Sequence, residues 1–363
     1  MKFSPTLSKT TLRLLQGATA IAFAVSMTAC GGGGNSNSTP SSQVSASYQV
    51  VSFGTSLSDV GTYAPNIALE FGGGRFTTNP GQVWTQDVAT YYGSTLTAAQ
   101  TGGFGATVTN NPNGYGYGQG GALVDGAEGL GWAANGAAAL TVPVTQQVAN
   151  YLAMHGSFNS NQIVLIEGGA NDILQQIEIE QAGGTVSTAA LTLAAEKFVG
   201  AIGTILQHGA TKVVVVNVPD IGQTPLAGGN AATAAAISGV VSQYNAGVTQ
   251  LLALAGLTND VVQVDAFSFI DNAVANYQAN GFTVSNTATA CNLTLMEQNA
   301  AAAGETDPSA FESSLFCSPQ LYTAPNADQN YMFADTIHPT THLHALFASY
   351  VEGVINQAYG LSK

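Results

Sequence analysis

The chain has 363 residues, 45% hydrophobic and only 8% charged, with a formal net charge of −14, which suits one substantial core and falls short of two comfortable domains. Seven Lys and Arg stand against 21 Asp and Glu. Nucleic acid is thereby excluded as a partner, because phosphate binding needs clustered bases, and an anionic membrane surface is disfavoured.

The amino end carries Lys2, Lys9 and Arg13 ahead of an apolar run from Leu14 to Met27, and Thr28-Ala29-Cys30 follows. This layout is that of a secretory signal over residues 1–29, too short for a spanning helix. Small residues before Cys30 and four glycines after it resemble a bacterial lipoprotein signal, in which Cys30 becomes the lipidated first residue and holds the protein to a membrane. Met27 is less usual at the start of such a box, so cleavage and release is the alternative. The expected location is outside the cytoplasm, as an outer-membrane lipoprotein or a secreted protein. Loss of residues 1–29, with three basic and no acidic side chains, takes the charge from −14 to −17. Residues 30–46, rich in Gly, Ser, Asn, Thr and Pro, read as a tether. The folded unit is expected over residues 47–363.

Tyr48 to Phe53 is a short apolar run rich in β-branched and aromatic residues that stops at Gly54, as a buried strand entering a loop does. Ser56 then lies just past the carboxyl end of a strand, where ligands bind in an open α/β sheet. Read alone, Gly-Thr-Ser-Leu-Ser-Asp-Val-Gly is equally an ordinary loop with Ser58 or Asp59 as a helix cap. It is not the G-x-S-x-G elbow of α/β-hydrolases, since Ser58 stands two after Ser56.

Helical spacing follows over Trp84–Tyr92, and residues 102–136, dominated by Gly, Asn, Tyr and Ala, read as loops with Tyr115 and Tyr117 as pocket walls. Helices are expected at Val144–Met154, Ser187–His208 and Ala231–Leu254, and strands at Gln162–Ile166, Lys212–Val218 and Val261–Phe267, with a further helix to about Asn280. Strands alternating with helices imply parallel βαβ units, and so a three-layer α/β/α sandwich around a central, mostly parallel sheet. Residues 280–332 break the alternation and hold Cys291 and Cys317, an even pair that an exported protein is expected to close as a disulfide. A closing helix runs from Thr340 to Tyr359. No stretch beyond the leader has the length and apolarity expected of a transmembrane helix.

Just before that helix stands Asp335-Thr336-Ile337-His338-Pro339. A carboxylate three residues before an imidazole can accept from Nδ1, fix the tautomer and leave Nε2 as a base. The bland alternative is a helix-capping Asp beside an incidental His. Glu167-Gly168-Gly169-Ala170-Asn171-Asp172 ends the Ile163 strand at the same sheet edge as Ser56. Asn171 has an amide to offer an oxyanion, and Gly121, with Gly120 as the fallback, an unhindered backbone N–H. His155 and His208 near helix ends, and His342 and His344 in the closing helix, are weaker candidates for a base.

In this order and spacing the motifs resemble the GDSL, or SGNH, hydrolase family, whose fold is flavodoxin-like, over nearly all of residues 47–363. Gly54-Thr55-Ser56-Leu57-Ser58-Asp59, Gly120-Gly121-Ala122, Gly169-Ala170-Asn171-Asp172 and Asp335-Thr336-Ile337-His338-Pro339 match its four blocks. The resemblance implies Ser56 as nucleophile, His338 as base and acid, Asp335 as its orienter, and the Ser56 N–H, Gly121 N–H and Asn171 amide as an oxyanion hole. It implies no cofactor and no metal. One position departs: the family usually has Asp before the nucleophile, and here Thr55 stands.

The expected activity is that of a serine esterase or lipase on carboxylic esters, lipid or acyl, working through an acyl-enzyme. The rival readings are a carbohydrate O-deacetylase of the same fold, with Tyr63, Trp84, Tyr115 and Tyr117 stacking on sugars, and a surface binding lipoprotein that has lost catalysis.

Overall fold

The computed structural model describes residues 47–132 and 139–361. The signal over 1–29, Cys30 and the tether over 30–46 lie outside the described residues. In chain order the first elements are β1 (Gln49–Phe53), α1 (Ala64–Phe71), α2 (Trp84–Tyr91), β2 (Gln100–Gly103), β3 (Ala106–Asn110), α3 (Val144–His155), β4 (Gln162–Glu167) and α4 (Ala170–Gln181). There follow α5 (Thr188–Gln207), β5 (Val213–Val216), α6 (Ala231–Leu254), β6 (Val261–Val264) and α7 (Ala266–Ala275). The chain closes with β7 (Val284–Thr289), α8 (Leu293–Ala303), α9 (Ala327–Asn330), β8 (Tyr331–Phe333) and α10 (Thr341–Tyr359).

β1, β4, β5 and β6 pair in that order, all parallel, with Phe53 opposite Ile166 and Glu167 opposite Val216. Side chains alternate faces along a strand. Val51, Phe53, Val164, Ile166, Val213 and Val215 therefore pack in one core with α3, α5 and α6. Val50, Ile163, Leu165, Val214 and Val216 pack in a second core with α2 and α10. A parallel sheet covered on both faces needs apolar residues at successive positions, which is why these strands read as unbroken Val and Ile runs. The three-layer α/β/α architecture is the one the alternation predicts.

Several boundaries differ. The Val261 strand stops at Val264, because Asp265 accepts the Ser268 N–H as the cap of α7 and so turns Ala266 and Phe267 into a helix start. Asn217 leaves the neighbouring strand by donating to Asp265 (2.9 Å) and accepting the Phe267 N–H (3.1 Å). The expected loop region contains the antiparallel hairpin β2–β3, turned at Phe104-Gly105, with Gln100 opposite Asn110. Helices α1 and α4 had no counterpart in the periodicity reading. One further expectation is corrected: α5 is long and apolar enough to cross a membrane, with a mean hydropathy of 1.5. Its Phe198, Ile202 and Ile205 are instead packed into the sheet core.

The excursion after α7 is tied back at two points. β7 pairs with β8, Val284 opposite Tyr331 and Thr289 opposite Phe333, and a Cys291–Cys317 disulfide closes a separation of 26 residues. Both tethers deliver the segment that follows β8 to the carboxyl edge of the main sheet.

Ile355 on α10 is fully buried in the second core, and Leu254 at the end of α6 is 76% exposed. Ile355→Ala is expected to lower unfolding free energy by about 2–5 kcal/mol, and Leu254→Ala to change it by less than about 0.5 kcal/mol. Urea denaturation of both variants measures the contrast.

Candidate active site

β1 ends at Phe53, and the chain bends through Gly54 and Thr55 into a single 3-10 turn, Ser56–Ser58. Gln147 of α3 grips Gly54 on both sides, accepting its N–H and donating to its carbonyl, each at 2.8 Å. From the other side Glu167 accepts the Thr55 N–H and, at 3.1 Å from each carboxylate oxygen, the Thr55 hydroxyl. A Cβ on Gly54 would overlap that carboxylate, so only glycine allows the approach. Ser56 is thus held at the edge of the sheet and is 7% exposed.

His338 reaches it from the far end of the sequence. Its Nε2 lies 2.8 Å from Ser56 Oγ, and its Nδ1 lies 2.7 Å from Asp335 Oδ2 and 3.0 Å from Oδ1. Asp335, 2% exposed, accepts three backbone N–H groups as well: Ile337 (2.9 Å) and His338 (2.8 Å) on Oδ1, and Ser314 (2.7 Å) on Oδ2. Burial by itself would raise this carboxyl, but the adjacent His338 and the Ile337 and Ser314 amides outweigh it and hold Asp335 below the ordinary carboxylate range. The Phe76 ring lies 5.0 Å from the imidazole, centroid to centroid, and limits its tilt.

The middle motifs converge on the same place. Asp59, fully buried, accepts the Gly61 and Thr62 N–H groups on one oxygen (2.9 and 2.7 Å) and the Gly120 N–H on the other (2.9 Å). Gly120 is therefore occupied, whereas the N–H groups of Gly121 and Ser56 donate to none of the described residues. Gly121 has φ +80°, and a Cβ there would overlap the Leu130 carbonyl, so the position requires glycine. Asn171 opens α4 and gives one amide hydrogen to the Ala122 carbonyl at 2.8 Å. Asp172 accepts the Val124 N–H at 3.0 Å.

Ser56, Gly121, Asn171, Asp335 and His338 all line one cleft of about 710 Å³. Its walls are mostly apolar, with Phe71, Phe76, Phe104, Phe311 and Phe316 among them, and Glu305, Asp307 and Glu312 also line it. The other histidines lie elsewhere. His344 is buried, accepts the Trp84 N–H (3.3 Å) and is pushed by that burial down to about 3, while His155 stacks on Tyr115. His208 and His342 each contact a backbone carbonyl, of Thr204 and Gln329, at 2.8 Å.

Sequence reasoning missed Gln147, Glu167 and Ser314. Glu167 stood in view at the end of its strand with no role assigned. Ser314 gave no local signal beyond its closeness to Cys317.

Asp172 supplies a pH test. Burial pushes it up to about 6 from an ordinary value of 3.8, against the pull of the Val124 amide. A raised carboxyl keeps its proton in the folded state where the unfolded chain has lost it, so its contribution is largest below about pH 4 and is lost as pH climbs to about 6. Asp172→Asn, which keeps an acceptor for Val124, is expected to flatten that slope, as read from thermal midpoints between pH 4 and 7.

The sequence profile of the GDSL-like Lipase/Acylhydrolase family matches residues 50–351. No individually curated protein matches the chain. The matched span runs from β1 into α10 and takes in every residue of the cleft floor described above, and the chain accordingly belongs to the GDSL-like lipase/acylhydrolase family.

Proposed function

We propose that the protein is a serine ester hydrolase that cleaves carboxylic esters through an acyl-enzyme on Ser56. Family membership implies hydrolase activity. The observation that carries the finer reading is the hydrogen-bonded series Ser56–His338–Asp335, 2.8 and 2.7 Å, at the floor of a phenylalanine-rich cleft.

With Nδ1–H given to Asp335, Nε2 of His338 is the acceptor for the Ser56 proton. Oγ attacks the ester carbon, and the new oxyanion takes hydrogen bonds from the Ser56 and Gly121 N–H groups and the second amide hydrogen of Asn171. Collapse breaks the ester C–O bond, and His338 returns the proton to the departing alcohol. Water, deprotonated by the same Nε2, then releases the acid and restores Ser56.

The phenylalanine-rich walls favour an apolar acyl or lipid ester. Glu305 and Asp307 on the cleft lining, in a chain with few bases, favour a neutral over an anionic substrate. The carbohydrate reading loses its stacking platform: Tyr63, Trp84 and Tyr117 are 0%, 2% and 9% exposed and Tyr115 is taken up by His155. The disulfide fits export, in keeping with a lipoprotein held through Cys30 or with a secreted enzyme.

Hydrolysis of p-nitrophenyl esters of graded chain length tests the proposal. Turnover is expected to vanish in Ser56→Ala and to fall about a hundredfold or more in Asn171→Ala, with medium or long chains preferred. Equal turnover in wild type and Ser56→Ala would refute it.

A further inference from the structure

The nucleophile turn is held by a buried carboxylate that the mechanism above does not use. Glu167 ends β4 beside the end of β1 and is 6% exposed. Both its oxygens lie 3.1 Å from the Thr55 hydroxyl, and one also takes the Thr55 N–H. It lies against Gly54 so closely that no Cβ fits between them. With Gln147 bonded to both backbone groups of Gly54, residues 54 and 55 are clamped from two sides, and Ser56 follows directly.

The position of Thr55 is the one at which this chain departs from the Asp usual in the family it resembles. In most settings a return to Asp would count as a restoration. Here a carboxylate introduced at position 55 would stand where the Thr55 hydroxyl stands, at hydrogen-bond distance from Glu167 and out of water. Two carboxylates so placed cannot both ionise, so one of them would have to hold a proton out of water, a requirement that the Thr55 hydroxyl, itself a donor, does not impose.

We propose that Thr55 and Glu167 form a matched donor–acceptor pair, in which Glu167 is the positioning residue for the Ser56 turn and excludes Asp from position 55. Burial pushes the Glu167 carboxyl above its ordinary range, and the Thr55 N–H and hydroxyl draw it back. The pair matters to the oxyanion as well as to the nucleophile, because the Ser56 N–H belongs to the same turn. Misplacement of about 1 Å in such a turn is costly to the rate without removing any group that binds substrate. The kinetic part of the inference rests on Ser56 being the nucleophile; the stability part rests on the contacts alone.

The test is a double-mutant cycle on the full chain, with kcat and KM for p-nitrophenyl butyrate and thermal midpoints for Thr55→Asp, Glu167→Gln and the two combined. In Glu167→Gln the amide oxygen still accepts the N–H of residue 55, and the amide nitrogen can donate to a carboxylate placed at that position. Thr55→Asp is expected to lower kcat at least about tenfold with KM within about twofold, Glu167→Gln to lower it about threefold, and the combination to return within about threefold of wild type. Midpoints are expected to follow the same order. A Thr55→Asp protein equal to wild type, or a combined loss equal to the product of the single losses, would overturn the pair. If Thr55→Asp does not fold, recovery of folding in the combined variant upholds it and continued misfolding overturns it. If wild type turns over no ester, the esterase reading fails, and the midpoint cycle still decides: recovery upholds the pairing and additivity overturns it.

Discussion

The site depends on one buried anion. Asp335 has almost no contact with solvent, so its charge must be met inside the protein, where an unpaired carboxylate would cost several kcal/mol. Three backbone N–H groups and the His338 imidazole meet it. Two of those N–H groups belong to its own turn and fix the direction in which His338 leaves the chain. The third, from Ser314, belongs to the disulfide-closed excursion. The geometry of the Asp335–His338 pair is therefore set in part by a segment that contributes nothing to the main sheet, and the tethering of that segment by β7–β8 and Cys291–Cys317 becomes part of the site.

The same device recurs around the cleft. In a chain with only 8% charged residues, Asp59, Glu167, Asp172 and Asp335 are all buried, and each accepts at least one backbone N–H from a loop at the carboxyl edge of the sheet. A carboxylate accepts in several directions, so one side chain can tie together loops that share no backbone pairing. Asp59 joins the Ser56 turn to Gly120, Glu167 joins it to β4, and Asp172 joins α4 to the chain at Val124. Burial disfavours the charged form in each case. Asp59, Glu167 and Asp172 stay above their ordinary range, and Asp335 alone is held below it, because it alone faces an imidazole.

The legibility of the fold followed from period. Val213–Val216 and Ile163–Ile166 have no polar residue to interrupt them, which only a strand covered on both faces tolerates, so the parallel sheet was readable strand by strand. α5, α6 and α10 were readable from helical spacing. α4 was not, since Gln175, Gln176, Glu178 and Glu180 dilute its apolar face and a Gly-Gly pair precedes it. The hairpin β2–β3 was hidden because its Thr and Asn side chains are largely solvated and give no burial signal, and the end of β6 because Asp265 acts as a cap only once Ser268 has turned back on it.

What the sequence determined by itself was local: the sheet, its carboxyl edge, and the Asp335–His338 spacing that lets one turn of chain close on itself. These depend on neighbours within a few residues, so they leave a pattern. What only tertiary structure decided was the meeting of parts far apart in the chain. That His338 lies at Ser56, 282 residues away, that Gly120 is consumed by Asp59 while Gly121 is not, and that Ser314 and Glu167 hold the two ends of the machinery all depend on which loops the packed layers bring to one edge. No periodicity encodes such meetings, because each is a single contact whose partners are set by the fold as a whole.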